Sequence, residues 1–503
     1  MKTIVGKKIA ALFITVAMLT AALAGCSKSG DSSGASGDKK EEAQGKEDMY
    51  TVTVYAPYAA TTEDCDAIAA KISEITEKEI GCKVELVRNV TKEQLNLALT
   101  SGEKLDLFYA FPWEVSLSSM ASSNQIVAMD DLLKQYGSDM QNSISADDFK
   151  CVTVGGKVYG IPMNKDKAQA RGFLMDKAIA DEVGIDYTVK KTYAELEADL
   201  QKVKDAHPDI WPVVANAGTM MRPLPVDTLG DNLGVLENAL GDSTQVVNLY
   251  DSNSYKEYVG YMYKWAQNGL MMPDAANTTE SYDALIRSGV GFGTFTPIKA
   301  GFEAEETRKC GKDIVAVTMY DAHSITTMVN AAWCIANNSK NPDKAMQMLN
   351  LMYTNPEVAN LFVNGIEGKN YKYVDKEKNI ITYADGIDAS NTGYSVVGWA
   401  WPNEQITSVW QGDDADVWTK LGEFNKAAKS SPAKGFVWDN SKVLNEVTAS
   451  QNVISKYEAS LDCGSVNPDE ALPKMNEELK SAGLDKIIKE KQQQLDAWLA
   501  ANK

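Results

Sequence analysis

Residues 50–112 read YTVTVYAPYAATTEDCDAIAAKISEITEKEIGCKVELVRNVTKEQLNLALTSGEKLDLFYAFP, and short β-branched runs alternating with helical periods in this stretch decide the fold. Tyr50 to Tyr55 is β-branched and aromatic and is closed by Pro57, the pattern of a strand. Thr61 and Thr62 open a helix whose apolar residues, Cys65, Ile68, Ala69, Ile72 and Ile75, fall three or four apart. Gly81 ends that helix, and Cys82 to Val87 is the next strand. Thr91 with Gln94 makes a capping box for a helix through Leu95 and Leu99. Leu105 to Phe111 is an apolar run bounded by Pro112, as a strand covered on both faces would be. Strands joined through helices pair in parallel, so the β-α-β-α-β order predicts an open α/β sheet.

Downstream, Val152 to Ile161 reads as a hairpin turning at Gly155-Gly156. A second α/β series follows. Thr192 with Glu195 caps a helix through Leu196, Leu200 and Val203, and Tyr255 to Gln267 is an aromatic-rich amphipathic helix stopped by Gly269. Asp343 to Phe362 is helical, with Met346, Leu349, Met352 and Tyr353 in one stripe. Gly365 to Gly464 is richer in Gly, Asn, Trp and Tyr and reads as irregular. Helical pattern resumes from Asn467, where Leu484, Ile487, Ile488, Leu495 and Trp498 share a face. The chain from Met49 is too long for one ordinary core and implies two or three lobes.

The N-terminus carries a different signal. Lys2, Lys7 and Lys8 precede an apolar stretch, Ile9 to Leu23, that is short for a membrane-spanning helix. It ends in Leu23-Ala24-Gly25-Cys26, which resembles the bacterial lipobox. Residues 1–25 are therefore expected to be removed as a signal peptide and Cys26 to carry the lipid, palmitate for example, that holds the protein at the membrane. Residues 26–48 are polar and small, too poor in apolar surface to fold, and read as a tether. Gly30-Asp31-Ser32-Ser33-Gly34 matches the nucleophile elbow only literally, since neither the strand before it nor the helix after it is present.

The formal charge of the whole chain is −19, and loss of residues 1–25, with three lysines and no acid, leaves −22. A field of that sign argues against nucleic acid as a partner. Six cysteines remain beyond Cys26, at 65, 82, 151, 310, 334 and 463, without metal-binding spacing. Buried thiols are the expectation, with one or two bridges left open.

Several segments, in order, resemble one family. Lys157-Val158-Tyr159-Gly160-Ile161-Pro162, Leu285 to Phe295 (LIRSGVGFGTF) and Asn338 to Phe362 are similar to segments of family 1 extracellular solute-binding proteins of ABC transporters. Residues 365–371 (GIEGKNY), 435–439 (GFVWD) and 482–486 (AGLDK) are similar to the C-terminal module of the LipO-type lipoprotein subgroup. The resemblance implies a two-lobed α/β fold of the periplasmic-binding-protein type (type II), with a hinge and a ligand cleft between the lobes. The first lobe would comprise 49–165, the second 166–320, the return to the first 321–363, and a module completing the cleft 364–503. It implies a monomeric lipoprotein on the outer face of the bacterial cell membrane. Such a protein closes on a small ligand, an oligosaccharide, and hands it to ABC permease subunits without cofactor or metal. An oligopeptide-binding or ligand-sensing lipoprotein is the alternative.

Sugar sites pair aromatic faces with polar side chains, presented from loops at the carboxyl ends of strands. Trp113 and Glu114 follow the strand 105–111, where maltose-type relatives reach the sugar, and Tyr58 follows the first strand. Trp399 and Trp401, two apart with Asn403 beyond them, share a face in an extended segment; packing of the C-terminal module fits that spacing as well. Asn164 and Asp321 fall near the expected hinge, where turn-forming and ligand-binding roles both remain open. Enzymatic signals are poor. The chain has two histidines, His207 and His323, neither with a spaced ligand or catalytic partner. Among 69 acids nothing singles out a glycosidase pair, which leaves a surface glycoside hydrolase as a remote alternative. Gly289-x-Gly291-x-Gly293 departs from the dinucleotide fingerprint. A binding protein rather than an enzyme is expected.

Overall fold

The computed structural model describes residues 49–55, 64–88, 90–112, 114–388, 391–394 and 396–502. The Cys26 lipobox, the tether, Tyr58 and Trp113 lie outside the described residues.

The opening stretch forms the first of two five-stranded sheets. Thr51–Tyr55 pairs in parallel with Lys83–Val87 on one side and with Leu107–Ala110 on the other. Helix Cys65–Glu79 returns the chain between the first two, burying Cys65, Ile68, Ala69 and Ile72 against the sheet. Thr91 and Gln94 form the reciprocal capping box of helix Lys92–Ser101. Ala332–Ile335 extends the sheet antiparallel to Leu107–Ala110, and Ile161–Pro162 forms its edge. Asp106 ties the sheet's end together: its buried carboxylate accepts from the Tyr50 hydroxyl at 2.6 Å and from the Thr53 amide at 2.9 Å.

The second sheet runs Lys429–Ser430, Ile314–Ser324, Gln169–Asp176, Gly291–Ile298, Trp211–Val213. Its centre is antiparallel. Gly293 belongs to this packing and not to a phosphate loop, since an added Cβ would stand 2.3 Å from the Leu174 carbonyl oxygen. Phe173, Tyr193, Tyr258, Trp265 and Phe295 make an aromatic core beneath it.

Two stretches depart from the sequence reading. The expected helix 343–362 is two helices, Pro342–Thr354 and Pro356–Asn364. Pro356 has no amide to continue the first, and Asn355 caps the second by accepting from the Glu357 and Val358 amides. The stretch read as irregular to Gly464 contains the helix Leu444–Asp462, whose charged and polar surface hides its narrow buried stripe. With Pro468–Ala482 and Leu484–Asn502 it packs into the second lobe's core through Ile454, Leu461, Met475, Ile487 and Leu495. All six described cysteines are buried. No helix among the described residues is long and apolar enough to cross a membrane.

The chain passes between the sheets at 163–168 and 325–331, and the segment 411–428 leads from a separate three-stranded sheet to the edge strand Lys429–Ser430. These passages are laced together. The Asn164 amide donates to the Pro402 carbonyl at 2.8 Å, and its side-chain nitrogen donates to Asn403 Oδ1 at 3.0 Å. Asn425 accepts from the Lys167 amide at 2.8 Å and donates to the Lys165 carbonyl at 3.0 Å. Ser324 donates to the Lys167 carbonyl at 2.6 Å.

Trp401 lies between Trp333 and Phe362, with ring centroids 5.6 and 4.8 Å away and 1 % of its surface exposed. It is a core residue, which corrects the expectation of a stacking platform shared with Trp399. Trp401→Ala is expected to destabilise the fold by about 3–5 kcal/mol, measured as a fall in the urea midpoint; an unchanged midpoint would contradict the sandwich.

Candidate functional site

A cleft of about 1030 Å³ opens between the two sheets. Its first-lobe wall includes Pro112, Val397 and Trp399; the second lobe supplies Arg171 and Thr294 to Pro297, and the hinge supplies Lys165, Asp166 and Gln169. Trp399 is half-buried, its ring 5.5 Å from Phe111, with Lys165 Nζ 5.4 Å from its centroid. One aromatic face is thus held in place on the cleft wall.

The floor is dense in charge. Lys165 and Asp166 form a buried ion pair at 3.0 Å, and Gln169 donates to Asp166 at 2.8 Å. Burial would raise the Asp166 carboxyl, but Lys165 and Lys299 overcome this and hold it below its usual range. Lys299 pairs with Glu305 at 3.0 Å; burial pulls its ammonium down, and the carboxylates of Glu305, Glu404 and Asp166 together hold it above its usual value. Arg171 is different. Burial pulls its guanidinium down to about 10 against the pull of Asp166, and its Nε has no hydrogen-bond partner among the described residues. It remains a cation at neutral pH, with a donor unmatched inside the cleft.

The residues expected from sequence do not all meet there. Trp399 lines the cleft, and Glu114 lines a smaller cavity that opens from it. Asn164 and Asn403 are buried behind the floor, joined to each other, and Asn403 also donates to the Tyr353 carbonyl at 2.8 Å. Their amides are engaged in the hinge lacing. Asp321 is exposed on the strand Ile314–Ser324, paired with Lys190 and absent from the cleft walls. That placement removes it from the expected ligand set. Arg171 and the Lys165-Asp166 pair were not anticipated. A sequence signal existed: Arg171 lies two residues before buried Phe173, on the same face of an apolar strand, where a charge is costly without a task.

The loop 216–232 on the second-lobe side is anchored from the C-terminal helices. Arg222 Nε donates to Asp462 at 2.7 Å and its guanidinium also pairs with Glu458, while Tyr255 donates to Asp462 at 2.9 Å.

Residues 59–359 match the family model described as bacterial extracellular solute-binding protein, more than half of the chain. The chain belongs to that family. Residues 432–500 match a domain of unknown function (DUF3502). The chain is similar to a carbohydrate ABC transporter substrate-binding protein of Streptococcus pneumoniae, 28% identical and covering 99% of both chains. Among solved structures it is similar to the N-glycan transport solute-binding protein NgtS of Streptococcus pneumoniae, at 25% identity and TM-score 0.80, covering 90% of this chain and 100% of that one. The complex of NgtS with Man5GlcNAc is similar at 26% identity and TM-score 0.75, covering 90% and 99%. These neighbours are two-lobed solute-binding proteins, and the two sheets and cleft described above are that fold.

Glu404 sits behind the cleft floor, buried, with Lys299, Asp166, Glu305 and Lys165 around it and its Oε1 without a partner among the described residues. Burial raises its carboxyl from the ordinary 4.5 to about 7. Between those values the folded chain keeps a proton that the unfolded chain releases. The contribution is therefore fully present below pH 4.5 and is lost as pH rises through about 7, on the order of 3 kcal/mol in all. Glu404→Gln is expected to remove this fall, read as urea midpoints of both chains at pH 5 and pH 8. The same pH slope in the two chains would show that Glu404 does not hold the proton.

Proposed function

We propose that the protein captures an oligosaccharide at the bacterial cell surface, closes its lobes on it, and delivers it to the permease of an ABC importer. The observation that carries this reading is the cleft itself. It offers one fixed aromatic face, Trp399, above a floor of Lys165, Asp166, Gln169 and Arg171 whose polar atoms suit sugar hydroxyls. Aromatic rings pack against the C–H faces of pyranoses, and charged partners make stronger hydrogen bonds to hydroxyls than neutral ones do. The relation to NgtS, seen in complex with Man5GlcNAc, supports the ligand class. Closure has a physical basis in the laced passages, since a few chain crossings absorb the rotation while each lobe keeps its own core. Trp113, Glu114 and Tyr58 complete this reading as further contacts from the first lobe.

The same reading places the protein on the outer face of the membrane, monomeric and held by an acyl chain on Cys26, with residues 26–48 as spacer. Cys26→Ser is expected to abolish incorporation of a fatty-acid probe and to release the protein or leave it unprocessed. Continued labelling of the variant would remove the lipid anchor from the proposal.

The ligand test begins with Man5GlcNAc, which should raise the melting temperature, because a ligand that binds only the folded state stabilises it. Trp399→Ala should then weaken binding roughly tenfold to a hundredfold, about 1–3 kcal/mol, by titration calorimetry. Stability without ligand should change much less, as the ring is half-buried. No response to any glycan, with a response to peptides, would transfer the protein to the oligopeptide binders.

A further inference from the structure

A second cavity, of about 400 Å³, opens from the main cleft and shares with it Pro112, Gly230, Asp231 and Gln451. Its outer wall is Phe436, Trp438, Asn440 and Val447, all from the segment 432–500 that matches a domain of unknown function. Its inner wall is Glu114 to Leu117 of the first lobe, and Thr326 and Asn330 of the return passage close it.

Two buried polar atoms at this cavity have no partner among the described residues: the indole Nε1 of Trp438, a donor, and Oδ1 of Asn330, an acceptor. Buried polar groups are almost always satisfied, so an unmatched donor and acceptor at one cavity ask for an occupant. Sugar hydroxyls both donate and accept, so a glycan suits either demand.

The arm is also built, not left over by packing. Lys491, fully buried on the last helix, binds Asp231, donates to the Gly234 carbonyl at 3.0 Å, and stands 5.1 Å from the centroid of Trp438. Asp231 belongs to both cavities, so the C-terminal helix fixes the junction between them. Gly230, with φ +103°, lets the loop lie against the indole, where an added Cβ would already stand 3.4 Å from the Trp438 Cβ. From the other lobe, Ser118 donates to the Trp438 carbonyl at 2.8 Å. The arm therefore spans both lobes, as the cleft does.

We infer that the domain of unknown function walls a second ligand arm, which receives a further branch of the oligosaccharide whose first part fills the main cleft. This rests on the glycan reading above. The main cleft, at about 1030 Å³, already equals the larger ligand pockets. The arm adds room that only a longer or branched glycan uses, so it sets selectivity for size, not binding as such.

The experiment titrates Man5GlcNAc and the shorter Man1GlcNAc into wild type, Val447→Trp, which fills the arm, and Asn440→Ala, which removes an amide from it. Val447→Trp is expected to weaken Man5GlcNAc about tenfold or more and to leave Man1GlcNAc within about twofold. Asn440→Ala, on a half-buried side chain, should show the same selectivity more weakly and keeps the test decisive if the larger residue does not fold. Equal losses for both glycans, or no loss for either, overturn the second arm and leave the main cleft standing. Wild type that binds neither glycan overturns the glycan reading, and the arm with it.

Discussion

The floor and the aromatic wall of the main cleft are tied together by one pair of side chains meeting across 239 residues of sequence, Asn164 and Asn403. The amide and side chain of Asn164 bind the segment at 402–403, and Asn403 in turn holds the Tyr353 carbonyl. Buried amides of this kind stabilise only when all their hydrogen bonds are made, and here one pair joins the first passage, the helix Pro342–Thr354 and the segment that carries Trp399. The cleft floor, Lys165 and Asp166, begins at the next residue. Position of the floor and position of the aromatic wall are thus set by the same contact.

The floor is a place where the chain tolerates cost. Lys165, Asp166, Lys299 and Glu404 are charged or titratable groups withdrawn from water, and each is compensated by the others instead of by solvent. Arg171 Nε and Glu404 Oε1 alone of this group have no partner among the described residues. A two-lobed binder gains from this arrangement, because groups that are costly when open become satisfied when a polar ligand and the opposite lobe arrive.

Three strands of the first sheet are legible in the sequence because their signals are local. The runs at 50–55, 82–87 and 105–111 and the capping pair Thr91/Gln94 act over a few residues, and the structure follows them closely. The break at Pro356 is equally local but is masked in the sequence, since the apolar stripe continues across both helices. The helix Leu444–Asp462 was hidden for the opposite reason: its contacts are distant and its buried face is narrow. The site was harder still. Trp399 and Trp401 share one spacing and one composition, yet one lines the cleft and the other is packed between Trp333 and Phe362. Nothing in the neighbouring residues distinguishes them. What does is the position of two rings from other parts of the chain. Trp438 belongs to the second lobe's core and at the same time walls the smaller cavity.

The bond between Lys491 and Asp231 closes a loop of 260 residues, and Lys491 lies twelve residues from the end of the chain. A chain made from its N-terminus meets its first-lobe strands early and this contact late. The junction of the two cavities is therefore expected to assemble only after the helix Leu484–Asn502 has emerged, with contacts of such long range forming late in folding. A product cut short by even its final helix would keep the first lobe's core and lose the shape of the pocket. The final helix and the junction of the two cavities are, in this architecture, tied through the same lysine.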